Sequence, residues 1–229
     1  MNKLLWDSGS PFVKLNPTPL ENIIKLDQNK ESIILKNLTK RKRGMSLEVD
    51  ELLYILLVVK EVNPRRVLEI GTYDGNTTLN IAANISSDSK VVTIDLPPEG
   101  LEEESFTGKK NPEKFHMRQY LDTEEADKVN QIYGDSAELD FSQLGGPFDL
   151  IFIDGDHSRF YALNDTRKSL SVLNPGGVIL WHDYEMQSVS SVLDSSLDTE
   201  KNISWIKGSR LAIGFFDNPK KSINNFISI

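Results

Sequence analysis

From Arg65 onward, short and almost continuously apolar runs alternate with helical patterns: "RVLEIG" then "TTLNIAANI", "KVVTIDL", "NQIYGD", "FDLIFIDG" then "YALNDTRKSLSVL", and "GGVILWHD". A strand that is apolar on both faces must be covered on both, and helical crossovers between strands do this when the strands run parallel. The chain is therefore expected to be α/β, with a doubly wound, mostly parallel sheet and helices on both faces. "SLEVDELLYILLVVKEVNP" is apolar nearly all round and ends at Asn63-Pro64, which reads as a buried helix stopped by proline. "ISWIKGSRLAIGFFD" holds two strand-like runs around "KGS", a C-terminal antiparallel hairpin at the sheet edge. Residues 1–45 read as a helical or irregular extension, with helical stretches around Leu20 to Leu38, and residues 46–229 as the main domain. Residues 97–129 are polar, contain proline and glycine, and are too long for a simple connection, so they are either a substrate lid or disordered.

The 229 residues suffice for one such domain with a substantial core. A formal net charge of −8 argues against a general nucleic-acid binder, since backbone binding depends on accumulated Lys and Arg. The basic run at Thr39 to Gly44 could guide an anionic substrate, and His116 and Arg118 could face a substrate, but the bland reading favoured for all of them is solvated surface. With no cysteine there is no thiolate nucleophile and no cysteine-ligated metal site. The first residues lack the apolar core of a signal peptide, and "LLYILLVV" is far short of the roughly 20 residues that cross a bilayer. A cytoplasmic protein is expected, with no nucleic acid and no membrane as partner and a homodimer as the assembly.

In "VLEIGTYDGNTTL", Gly71 ends a strand and Gly75 precedes a helix. Residues without a Cβ allow a sharp turn and close approach of a ligand, and a helix N-terminus favours polar or anionic groups. The next strand ends in Asp95, twenty residues after Gly75, where a carboxylate can accept both hydroxyls of a ribose. A dinucleotide fingerprint needs a middle glycine to admit the pyrophosphate, and Tyr73 stands there instead.

The pattern Glu69-x-Gly71-x-x-x-Gly75, continued by "YGDSAELDF", "FDLIFIDGDHS" and "LNPGGVILWHDY", resembles the class I S-adenosylmethionine-dependent methyltransferases over roughly Ser46 to Asp217. That resemblance implies a Rossmann-like sheet of seven strands. It places Glu69 and the loop Gly71, Thr72, Tyr73 and Gly75 at the cofactor's amino-acid tail, Asp95 and Leu96 at the ribose, Asp135 and Ser136 near the adenine, and Asp154 near the reactive centre. Within the superfamily the chain looks most like small-molecule O-methyltransferases of the catechol and macrocin type, which implies a hydroxyl acceptor on a sugar, glycan precursor or natural product. In their metal-dependent members an aspartate at the fourth strand end and a pair at the fifth hold Mg²⁺. Asp154 matches the first position and His182 and Asp183 the pair.

A histidine in that pair departs from the pattern, because Mg²⁺ prefers oxygen ligands. Asp154 and Asp183, with Asp156, His157 and His182 nearby, could hold another divalent cation. The alternative is metal-free catalysis in which Asp154, His157 or His182 serves the acceptor, a histidine taking its proton near neutral pH. The bland reading of these histidines is structural hydrogen bonding. Trp181 and the stripe Leu163, Thr166, Leu170 and Leu173 read as core. Other functions compatible with the fold are a nucleic-acid or protein methyltransferase, an NAD-dependent oxidoreductase and a non-catalytic S-adenosylmethionine-binding module.

Overall fold

A computed structural model describes residues 14–25, 32–38, 47–97, 118–195 and 202–226. Eight strands form one sheet in the order β1-β7-β8-β6-β5-β2-β3-β4. They are β1 (Pro17–Thr18), β2 (Arg66–Ile70), β3 (Lys90–Asp95), β4 (Val129–Tyr133), β5 (Phe148–Ile153), β6 (Leu173–Trp181), β7 (Ile203–Ile206) and β8 (Ala212–Phe216). β8 pairs antiparallel with both β6 and β7, and all other pairings are parallel. The doubly wound sheet and terminal hairpin are as expected. The eighth strand is not: β1, only two residues long, pairs with β7 and adds the N-terminal extension to the sheet edge. Two residues carry no readable alternation, so pattern alone could not find it.

The period-2 geometry of a strand sends alternate side chains to opposite faces. Along β5, Leu150 and Phe152 join the cluster beneath α2 (Val49–Val62) and α3 (Asn76–Asn84), while Ile151 and Ile153 join the one beneath α4 (Arg159–Val172) and α5 (Gln187–Asp194). Both clusters are closed to solvent, which is why these strands read as unbroken apolar runs. α2 starts with a reciprocal capping box between Glu48 and Glu51 and ends at Asn63, whose positive φ of 48° turns the chain into Pro64. Thr166, Leu170 and Leu173 are buried core as expected, and Trp181 donates its indole N–H to Thr166 Oγ1 at 2.9 Å.

The helical reading of Leu20 to Leu38 needs correction. α1 covers only Leu20–Ile23, and residues 32–37 form neither helix nor strand. Their backbone is held by asparagines one turn apart on α3. Asn84 exchanges two hydrogen bonds with the main chain of Ile34, Asn80 exchanges two with Lys36, and Asn76 donates to Asn37 O. The amide side chain matches a peptide group in donor and acceptor, so a row of asparagines gives an irregular segment the backbone bonds that a neighbouring strand would give. This tertiary pairing outweighs local helix propensity.

The sheet order reverses between β2 and β5, whose carboxyl ends lie side by side. From β2 the chain winds outward to β3 and β4, and from β5 it winds the other way to β6. A crevice at such a reversal is where open α/β sheets bind ligands.

Candidate functional site

The loop after β2 is shaped by close backbone approach. Gly71 has φ of 96°, and a Cβ there would lie 2.1 Å from the Asp154 carbonyl oxygen. Gly75, at φ 75°, lies against the Tyr120 ring. Thr72 is buried, with Oγ1 2.7 Å from Thr93 Oγ1, and the Tyr73 N–H donates to Asp95 Oδ2 at 2.9 Å. The two strand ends are thus tied together by the loop between them.

Glu69 is fully buried at the base of this loop. Its Oε2 accepts from Thr78 and Thr93, and its Oε1 has no partner among the described residues. Burial pushes its carboxyl up to about 8, although the two threonines work against the shift. The folded chain therefore holds a proton that the unfolded chain, at 4.5, has already lost. Between those pH values the stability of the ligand-free protein is expected to fall as pH rises, by roughly 5 kcal/mol in total at about 1.4 kcal/mol per unit. Glu69→Gln should flatten that slope in chemical denaturation measured from pH 5 to 9; an unchanged slope would reject the assignment.

Asp95 is partly buried. Its Oδ2 also accepts from Arg118 Nη2 at 2.9 Å, and Oδ1 accepts from the Leu96 N–H. Leu96 itself is exposed. Arg118 was expected on the surface and is instead buried, because it faces the Asp95 carboxylate; His116 and the basic run at Thr39 to Gly44 lie outside the described residues. Most of the insertion between residues 97 and 129 also lies outside them. Asp135 stands beyond β4, with Oδ1 accepting from the Ala137 N–H and Oδ2 from the Tyr161 hydroxyl, and Ser136 is buried beside it. These contacts tie the segment to α4.

The ends of β5 and β6 bring Asp154, His157, His182 and Asp183 together. The His182 N–H of the main chain donates to Ile153 O, and Asp183 has φ of 52°, so the chain turns sharply after β6 and both side chains face the Asp154 loop. Nδ1 of His182 lies 2.9 Å from Asp154 Oδ1 and 3.3 Å from Asp183 Oδ2, and His157 Nε2 lies 3.1 Å from the same Asp183 oxygen. Asp156 turns away to accept from the Ser158 N–H, and Ser158 caps α4.

Two residues that sequence reading missed frame this cluster. Glu51 of α2 accepts from Arg210 Nε at 2.9 Å and Nη2 at 2.7 Å and lies 3.3 Å from His182 Nε2, while Arg210 Nη1 reaches Asp183 Oδ1 at 3.0 Å. Burial alone would raise the Glu51 carboxyl, but its hydrogen bonds with His182 and Arg210 hold it well below the usual carboxylate range. Burial alone would lower His182; the Asp154 charge and three carboxylate contacts instead hold it well above the ordinary histidine value. The structure thus separates the two histidines. His182 is buried with carboxylates at both nitrogens and has no open face for an acceptor, whereas the His157 side chain is about one-third exposed at 37%. A signal for Glu51 was present: it lies on the same stripe as Ile55 and Val58, where an apolar residue belongs.

The cluster also passes a test as a cation site. One oxygen each from Asp154 and Asp183 and one nitrogen from His182 lie within 4.8 Å of one another. His182 Nδ1 is buried and, despite its short distances, makes no aligned hydrogen bond. An imidazole nitrogen and two carboxylates form a donor set for a first-row transition ion such as Mn²⁺, Fe²⁺, Co²⁺ or Zn²⁺ more than for Mg²⁺.

Residues 68–184, from β2 through the turn after β6, match a family described as a methyltransferase domain. The chain belongs to this methyltransferase family. The class I, Rossmann-like architecture read from its motifs is the one the structure displays. Among relatives of the methyltransferase, catechol O-methyltransferase of Mycobacterium tuberculosis is 31% identical over 103 residues, 45% of this chain and 41% of that protein. Caffeoyl-CoA O-methyltransferase of Zinnia elegans is 27% identical over 135 residues, 59% of this chain and 51% of that protein. The chain thus matches about half the length of these curated relatives. The fold is similar to that of the O-methyltransferase TomG from Streptomyces achromogenes, solved with S-adenosylmethionine, at a TM-score of 0.59, 17% identity and coverage of 76% and 83% of the two chains. An O-methyltransferase from Bacillus cereus, solved with S-adenosylhomocysteine, gives a TM-score of 0.54 at 20% identity, covering 75% and 83%. No helix of the described residues is long and apolar enough to cross a membrane.

Proposed function

We propose that the methyltransferase moves the methyl group of S-adenosylmethionine to a hydroxyl oxygen of a small molecule. The observation that carries this reading is the juxtaposition at the sheet reversal. The glycine loop after β2, with Glu69 and Asp95, meets the Asp154, His157, His182 and Asp183 cluster at the ends of β5 and β6, so a donor site and a hydroxyl-handling site adjoin. The relatives named as O-methyltransferases of catechol and caffeoyl-CoA support the acceptor class.

Glu69, through its unpartnered Oε1, suits the donor's ammonium group, and Asp95 suits its ribose. His157 is the residue placed to take the acceptor's proton, since Asp183 orients one ring nitrogen while part of the ring stays open. Asp154, Asp183 and His182 Nδ1 would hold a divalent cation, which, when bound, favours the ionised form of a coordinated hydroxyl. Exposed Val49, Phe160 and Met186 lie at or just before the starts of α2, α4 and α5, close in sequence to Glu51, His157 and Asp183. This supports an acceptor with an apolar or aromatic body over a bare sugar.

The test is calorimetry with S-adenosylhomocysteine followed by transfer of labelled methyl to a panel of catechols, phenols and sugar alcohols. Binding and transfer to a hydroxyl, stimulated more by Mn²⁺ or Co²⁺ than by Mg²⁺, are expected. Absence of binding would remove the donor assignment, and activity indifferent to EDTA would remove the cation.

A further inference from the structure

Arg118 carries a contradiction that the family reading leaves unresolved. Its side chain is 2% exposed, yet among the described residues only Nη2 is used, on Asp95; Nε and Nη1 are buried without a partner there. A guanidinium keeps its charge at any ordinary pH, so two buried donors facing no acceptor are costly and call for an acceptor that belongs beside them. The surroundings indicate which. The guanidinium carbon lies 5.9 Å from the centre of the Tyr133 ring, at the end of the strand next to Asp95. The following residue, Gln119, donates from its main chain to Asp74 O and from its side chain to Asp74 Oδ2 within the cofactor loop. Tyr120 packs on Gly75 and donates its hydroxyl to Gln131. The segment bearing Arg118 is thus fastened to the glycine loop itself.

Asp95 is left asymmetric by this arrangement. Among the described residues its Oδ2 already receives two donors, the Tyr73 N–H and Arg118, whereas Oδ1 receives only the Leu96 N–H. The expectation that this carboxylate alone accepts both hydroxyls of a ribose therefore does not fit the lone pairs that remain.

We propose that Arg118 is a nucleoside-positioning residue. It occupies Asp95 Oδ2, leaves Oδ1 to accept from one ribose hydroxyl, and donates through Nε or Nη1 to the other ribose oxygen. This inference rests on S-adenosylmethionine being the donor. Its distinctive consequence is that the two hydroxyls are read by different groups, so losing Arg118 weakens recognition of one and not the other.

The experiment is calorimetry of S-adenosylhomocysteine and its 2′-deoxy and 3′-deoxy forms with the wild type, Arg118→Met and Arg118→Lys, with thermal melts of each. In the wild type both deoxy forms should bind about tenfold or more weakly than the parent, because each leaves a polar group unpaired. In Arg118→Met the parent should lose about tenfold, the penalty for one deoxy form should nearly vanish, and the other should persist. Arg118→Lys retains the charge and loses the fork, so it should show the same selective pattern in weaker form, and it decides the matter if the methionine variant does not fold. Uniform weakening of all three ligands, or no change, would overturn the role of Arg118 while leaving the donor assignment intact. No binding of S-adenosylhomocysteine by the wild type would remove the donor assignment and this inference with it.

Discussion

His157→Ala is expected to lower kcat for hydroxyl methylation by about 10²- to 10⁴-fold while leaving the affinity for S-adenosylhomocysteine within about twofold, the usual scale for removing a positioned base. The reason is positional. The His157 ring is partly open and reaches Asp183, and among the described residues it shares no hydrogen bond or ion pair with the glycine loop, Glu69 or Asp95. A loss confined to kcat would place it on the acceptor side. The same variant should discriminate among acceptors: a phenol of low pKa is already ionised and needs no base, so the penalty should shrink as the acceptor becomes more acidic. A penalty independent of acceptor acidity, or accompanied by an equal loss of cofactor affinity, would show that His157 only shapes the site.

The sequence was most informative where local chemistry and tertiary role coincide. Gly71 and Gly75 adopt the positive φ values that glycine tolerates, the strands read as apolar runs because both faces are covered, and Asp154, His182 and Asp183 converge because they terminate neighbouring parallel strands. What was not legible depends on pairing between distant segments. Arg118 looks like surface until Asp95 is placed beside it, and the segment at residues 32–37 looks helical until the asparagines of α3 present their amides to its backbone. β1 is a strand only because β7 offers it an edge. The two histidines looked interchangeable as bases, since nothing in "DGDHS" and "WHDY" tells that one ring is enclosed by Glu51, Asp154 and Asp183 while the other meets solvent.

Glu51→Ala is expected to destabilise the fold by about 3–5 kcal/mol, the cost of breaking a buried ion pair from one side, and to lower the melting temperature by roughly 10 °C for a chain of this size. Among the described residues the buried carboxylate of Glu51 is the only partner of His182 Nε2, and it takes three hydrogen bonds from Arg210, two from the guanidinium and one from the main chain. Removing it leaves a buried imidazole nitrogen and part of a guanidinium without an acceptor. Arg210→Ala in the same background should return part of the loss, because the second substitution removes a cation the first left unpaired; simple additivity of the two effects would refute the pairing. The sign of the pH dependence follows from the depressed Glu51 carboxyl. Its stabilisation is complete above the unfolded value of 4.5 and is lost as pH falls towards the folded value, so wild type and Glu51→Ala should converge in stability in acid and diverge towards neutrality. The substitution should also reach the site. Glu51 fixes the His182 ring by accepting at Nε2, which turns Nδ1 towards Asp154 and Asp183, so the variant should bind Mn²⁺ or Co²⁺ about 10- to 100-fold more weakly, as other losses of a ligand's supporting carboxylate do. Retained metal affinity in a folded Glu51→Ala protein would mean that the helix carboxylate supports the fold alone and does not orient the ligand.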